Sequence, residues 1–275
     1  MFPFRRIVFA VDFSDSCKAV VPHVEEVVRR SKAELILLHA CETSAVDHAA
    51  VTKRDTERLR QFAHRWFPKL TPELVERDGD AATVICEVAS GEGADLVMMP
   101  THGRGPFRRL LLGSVTAKVL HDVGCPVWTS VHDRESRYSS HLPYQAVLCA
   151  VTMDDDAEAL VRAAKSLACA YRARLEVVHV VETPPVKLGE DYGPLFRNQA
   201  EDAEAQLSQW MRDWGVDAPV RVFQGPVADR LREATVDHSI DLLITGRGKA
   251  HGRVSHLWSH LYGIVRESPC PVISL

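Results

Sequence analysis

The feature that most narrows what this chain can become is repetition. The segment AELILLHACE (residues 33–42) returns as ARLEVVHVVE (residues 173–182), with Ala, Leu, His and Glu matching in register. RIVFAV (6–11) aligns with AVLCAV (146–151) at the same offset. Farther along, ADLVMMP (94–100) parallels IDLLITG (240–246), and Cys125-Pro126-Val127 parallels Cys270-Pro271-Val272. The offset drifts by a few residues, as loop insertions in a duplicated domain would cause. A polar stretch without hydrophobic period, HDRESRYSSHLPY (132–144), separates the copies. The expected organisation is a first domain over residues 1–132, a linker over 133–144 and a second domain over 145–275. Each copy has the size of one domain, so this is a tandem pair rather than a short-period solenoid.

Within each copy, short β-branched runs alternate with longer amphipathic ones. Strands are expected in the first half at 6–11, 34–40, 73–77, 95–100 and 126–131, and in the second at 146–151, 175–181, 220–223, 241–245 and 271–275. Helices are expected at 14–31, 52–66, 81–90 and 114–122 in the first half. Runs such as RIVFAV and ADLVMM are apolar at nearly every position, which suits a sheet covered on both faces. The fold class is therefore α/β: two tandem, doubly wound, five-stranded parallel sheets of Rossmann-like type.

Composition removes several functional classes. A chain of 275 residues, 46% hydrophobic and 25% charged, is globular rather than disordered. Lys plus Arg at 33 against Asp plus Glu at 37 gives a net charge of -4, which speaks against a phosphate-backbone partner. The N-terminus, with Arg5, Arg6 and Asp12 breaking its apolar run, has no signal-peptide pattern, and no apolar run reaches membrane-spanning length. A cytoplasmic protein without membrane partners is expected. Seven cysteines, an odd number without a C-x-x-C spacing, read as reduced core thiols.

One segment carries chemistry. In PTHGRGPFRRLLLGSVTAKVL (100–120), Gly103 and Gly105 follow a strand end and Gly113-Ser114 opens the next helix. Ligands of open α/β sheets lie at the carboxyl ends of strands where the strand order reverses. Glycine lets backbone approach a ligand, Ser114 is a helix-cap candidate, and N–H groups at a helix start face anions. Arg104, Arg108 and Arg109 add positive charge. The same pattern also serves as ordinary turn punctuation. Asp12, closing the first strand in FAVDFSDS, offers a carboxylate to a ribose hydroxyl or a metal-bound phosphate; its plainer role is a turn at a helix entry.

These residues resemble the universal stress protein family in its tandem form, whose fold is adenine nucleotide alpha hydrolase-like. The family's signature is Gly, two residues, Gly, nine residues, then Gly followed by Ser or Thr. Gly103, nine intervening residues and Gly113-Ser114 match, whereas Pro100 stands at the leading glycine and has no N–H to donate. The resemblance implies a stress-response regulatory protein binding ATP, with Mg2+ as companion ion, or AMP. It implies that Ala10, Val11 and Asp12 line the adenosine side, with Asp12 on the ribose, and that Ala40 meets adenine. Met99, Thr101, His102, Gly103 and Arg104 would wrap sugar and phosphates, and Gly113, Ser114, Val115 and Thr116 would complete the phosphate cradle. The second half departs further: Thr152 replaces the Asp, TGRGKAHG is one residue shorter, and Trp258 precedes Ser259 where glycine is expected. One nucleotide site is expected, in the first domain, with the second domain a structural or partner-binding copy. The apolar last strands, PVWTSV and PVISL, suggest pairing between the halves, with a homodimer of whole chains as a further possibility.

Other constellations are weaker. Neither a Walker loop nor a complete G-x-G-x-x-G occurs, so motor-type and kinase-type phosphoryl transfer has no support; slow ATP hydrolysis or nucleotidyl transfer, and a scaffold without nucleotide, are the alternatives. His256 and His260 lie four apart without the Glu of a zinc-protease motif. His39 and His179 recur at matched positions, which points to a shared structural hydrogen bond. Asp154, Asp155 and Asp156 read as favourable charge at a helix start.

Overall fold

The computed structural model describes residues 2–41, 48–102, 112–130, 142–183, 193–247 and 257–275, with backbone only at 48–53, 193–197 and 257–259. Two compact units, Met1–Arg134 and Glu135–Leu275, divide the chain. Most of the segment read as a linker, 133–141, lies outside the described residues.

The first unit runs β1 (Arg6–Ala10), α1 (Asp15–Ser31), β2 (Glu34–Cys41), α2 (His48–Trp66), β3 (Glu73–Asp78), α3 (Ala81–Gly91), β4 (Leu96–Pro100), α4 (Ser114–Asp122) and β5 (Val127–Ser130). Its strands pair in parallel in the order β3-β2-β1-β4-β5. The second unit runs β6 (Ala146–Ala150), α5 (Ala157–Tyr171), β7 (Arg174–Val181), α6 (Gly193–Asp213), β8 (Val220–Gln224), α7 (Val227–Asp237), β9 (Leu242–Thr245), α8 (Leu257–Glu267) and β10 (Val272–Ser274). Its order, β8-β7-β6-β9-β10, repeats the first position for position, again with parallel pairing. Each strand boundary falls within one residue of the sequence expectation, while α2 starts a turn earlier than expected.

The sheets follow from the residues. β4 and β6 are buried at every position, as strands with helices on both faces must be. Ile7, Phe9, Leu37, Leu96 and Met98 form the middle of the first core, and Phe9 meets Phe67 edge-on at 6.2 Å. Trp128 on β5 is fully buried and lies 5.1 Å from the His23 ring.

Two local devices recur in both units. Asp95 Oδ2 accepts from the N–H groups of Arg5 (2.7 Å) and Arg6 (3.1 Å), fixing the start of β1 beside β4. Asp241 Oδ2 accepts in the same way from Gln145 (2.7 Å) and Ala146 (3.0 Å) at the start of β6. Likewise α1 and α5 both end on a non-glycine residue in the left-handed region, Lys32 at φ 56° and Arg172 at φ 55°. Each cap N–H bonds back to the last turn, to Val28 O in one case and to Ala168 O and Cys169 O in the other.

Candidate functional site

β1 is flanked by β2 on one side and β4 on the other, so the strand order reverses between β1 and β4. Three segments leave their elements at the carboxyl side of that point: residues 11–14 after β1, residues 101–102 after β4, and the first turn of α4. Ala10 closes β1 there and Ala40 is the penultimate residue of β2, both half-buried.

The turn after β1 is tightly specified. Val11 donates its N–H to Leu38 O at 2.8 Å and accepts at its own carbonyl from His39 Nδ1 at 2.6 Å. Asp12 Oδ1 accepts from the Ser14 N–H at 2.9 Å, an Asx turn. Ser14 caps α1, its Oγ accepting from the Cys17 N–H at 3.1 Å. Between them Phe13 sits at φ 60°, with its ring 4.6 Å from His39, 5.8 Å from Phe62, and the Arg58 guanidinium 4.4 Å over its face. Burial first, and then the Asp12 carboxylate, push the Cys17 thiol up to about 12, so Cys17 is a neutral packing group.

The turn after β4 is built differently from expectation at three positions. Gly113, not Ser114, is the N-cap of α4, and Ser114 is the first helical residue. The Gly113 N–H donates to Thr101 O at 3.0 Å, so it is committed to the protein and not to a ligand. Thr116 is buried, with its hydroxyl 3.1 Å from Pro100 O and 3.3 Å from Thr101 O; it latches the turn instead of reaching outward. Thr101 is buried as well, both its N–H and its Oγ1 donating to Ser130 O at 3.1 Å, and Oγ1 lies 3.0 Å from His102 Nδ1. Met99 is buried in β4. Gly103 and Arg104 lie outside the described residues.

What α4 offers is its N-terminus. The first bond within the helix runs from Ala117 N to Gly113 O, so the N–H groups of Ser114, Val115 and Thr116 have no acceptor inside the helix. A Cβ at position 113 would come to 3.0 Å of Thr101 O, a tight contact that glycine avoids in this close approach of helix start and turn. On its outer side α4 is tied to α3 by Lys118 Nζ, 2.7 Å from Asp80 Oδ1 and 3.0 Å from Thr83 Oγ1. A helix N-terminus on the carboxyl side of a switch point is a place where an anion can be held.

The second unit keeps the frame and changes the chemistry. His179 Nδ1 lies 3.0 Å from Val151 O, the counterpart of the His39 bond, as the recurrence of these histidines suggested. Where Asp12 stands in the first unit, the Thr152 hydroxyl donates to Asp154 Oδ2, and Asp154 Oδ1 accepts from the Asp156 N–H at 3.1 Å. α8 begins at Leu257, so Trp258 is already helical where Gly113 caps α4. His256 lies outside the described residues, and His260 Nε2 pairs with Glu182 Oε2 at 3.3 Å.

Strand order and the alternation of strands with helices define each unit as a doubly wound, Rossmann-like parallel α/β domain. The chain belongs to the universal stress protein family: the profile of the "Universal stress protein family" matches twice, over residues 3–130 and 143–274. A universal stress protein encoded in the QAH/OAS sulfhydrylase 3' region of Thermus aquaticus is 32% identical over 133 residues, 47% of this chain and 97% of that protein. Universal stress protein Sll1654 of Synechocystis is 31% identical over 131 residues, 45% of this chain and 83% of that protein. The crystal structure of a universal stress protein from Archaeoglobus fulgidus covers 98% of this chain and 97% of its own, with TM-score 0.70 at 20% identity, a likeness of fold. Among the described residues no helix is long and apolar enough to cross a membrane.

Proposed function

We propose that the chain is a stress-response regulatory protein that binds one adenine nucleotide, ATP or AMP, in its first domain. Asp12 would take the ribose hydroxyls through Oδ2, since Oδ1 is used by the Ser14 N–H. Ala10, Val11 and Ala40 would line the adenosine side, and Met99 would back it. The N–H groups of Ser114, Val115 and Thr116, at the positive end of α4, would face the phosphates, together with His102, Gly103 and Arg104. Bound nucleotide supplies a polyanionic tail, balanced by Mg2+ when it is ATP, and its occupancy changes what the domain docks with.

The single observation that carries the reading is the junction of Gly113 and Thr116 with Thr101, which sets the start of α4 against the strand end at the switch point. In the second domain the carboxylate is replaced by Thr152 and the cap position by Trp258, so that domain serves structure or partner docking, including pairing of the halves or of whole chains. Thermal denaturation with ATP and Mg2+ tests the proposal. The melting temperature of the chain rises with ligand, and Asp12→Ala weakens the apparent affinity about tenfold to a hundredfold, the value of a charged hydrogen bond. A wild-type chain whose melting temperature is indifferent to adenylates contradicts it.

A further inference from the structure

Next to the turn that carries Asp12, the first unit gathers three side chains with the chemistry of metal ligands, and a fourth, Glu76, lies against one of them. One ligand atom from each of His39, Cys41 and Asp55 lies within 4.8 Å of the others. Cys41 Sγ is 3.9 Å from Asp55 Oδ2 and 3.3 Å from Glu76 Oε1. His39 and Cys41 are two apart on β2 and so share a face, and Glu76 on β3 pairs in register with His39. Asp55 comes down from α2.

His39, Asp55 and Glu76 each have one polar atom held by a neighbouring group. His39 Nδ1 is bonded to Val11 O, which fixes the ring and leaves Nε2 as its ligand atom. Asp55 Oδ1 accepts from Arg58 Nη1 at 3.2 Å, and Glu76 Oε2 accepts from the Thr56 hydroxyl. Outer partners of this kind orient ligands in metal sites. Tetrahedral zinc with bonds of about 2.3 Å to sulfur and 2.1 Å to oxygen holds those atoms ~3.6 Å apart. The observed separations of 3.3 and 3.9 Å bracket that value.

The second unit supplies an internal comparison. His179 keeps the carbonyl bond of His39, yet Val181 stands at the position of Cys41, and Val222, in register with His179, at that of Glu76. The fold therefore needs the histidine without needing the thiol or the carboxylate.

We infer that His39, Cys41, Asp55 and Glu76 form a binding site for a divalent transition-metal ion of the zinc class. Nitrogen, sulfur and two oxygen donors suit a borderline ion of tetrahedral preference. On binding, the Cys41 S–H bond breaks, its proton leaves to solvent and the thiolate binds the metal. Two carboxylates and a thiolate outweigh the ion by one negative charge, which Arg58 offsets. The site does not depend on nucleotide.

Chelator-treated protein titrated with Zn2+ alone, in competition with a chromogenic chelator, tests this. The expected result is one ion per chain, lost by tenfold or more in Cys41→Ser and in Asp55→Asn. Co2+ in place of Zn2+ should give a thiolate charge-transfer band that disappears in Cys41→Ser and persists in Cys169→Ser, which changes an exposed cysteine. Circular dichroism of the metal-free variants reports folding; if Cys41→Ser does not fold, Asp55→Asn and the wild-type cobalt spectrum decide. No stoichiometric binding by the wild type, or affinity unchanged in folded Asp55→Asn, overturns the site.

Discussion

Phe13 shows how much the first site depends on single residues. A side chain at φ 60° costs roughly 1–2 kcal/mol relative to ordinary backbone, and the ring contacts with His39, Phe62 and Arg58 offset it. His23 provides a titration. Its ring lies against Trp128, and burial lowers it from the usual 6.5 to about 4. Between those values the unfolded chain takes up a proton that the folded chain refuses, so stability falls as the pH drops through that window. The loss is of order 2–3 kcal/mol for this group. His23→Phe keeps a ring against Trp128 and should flatten denaturant-measured stability between about pH 6.5 and 4; an unchanged slope would show that other groups set it. Residue by residue, the sequence spoke unevenly. The recurrence of His39 and His179 exposed their shared carbonyl bond, because duplication is visible in one chain. The resemblance to the family placed Thr116 in the phosphate cradle. Its direction is settled by the Pro100 and Thr101 carbonyls, which no local pattern reveals.

At the scale of elements, the strands were legible because apolar runs bounded by turns leave little choice of register. The grouping of His39 with Asp55 and Glu76 was not, since it depends on β2–β3 register and on how α2 packs. The paired clamps make a comparative prediction. Asp241 is buried and Asp95 partly exposed, so leaving two N–H groups without an acceptor is worse in the second unit. Asp241→Ala should cost about 2–3 kcal/mol and Asp95→Ala about 1–2, read from urea denaturation. Equal losses would mean that burial does not govern the clamp. The left-handed caps predict the opposite sign: Lys32→Gly and Arg172→Gly should each stabilise by about 0.5–1 kcal/mol, because glycine meets no Cβ penalty there. A fall in melting temperature in either variant would point instead to contacts of the replaced side chain.

Over the whole molecule, duplication preserved the frame and released the chemistry. The two units share strand order, Asp clamps, left-handed caps and the strand-end histidine bond. They differ where ligands would be held: Asp12 against Thr152, the Gly113 cap against helical Trp258, Cys41 against Val181. The repeat made the frame readable in the sequence, since each half checks the other. The asymmetry of the sites was readable only as substitutions, because their effect depends on where α4 and α8 begin. Calorimetric titration of the nucleotide-free chain with ATP and Mg2+ addresses that asymmetry most directly. One nucleotide per chain, weakened about tenfold to a hundredfold by Asp12→Ala and untouched by Thr152→Ala, is the predicted result; two per chain, or an affinity unchanged in Asp12→Ala, would contradict it.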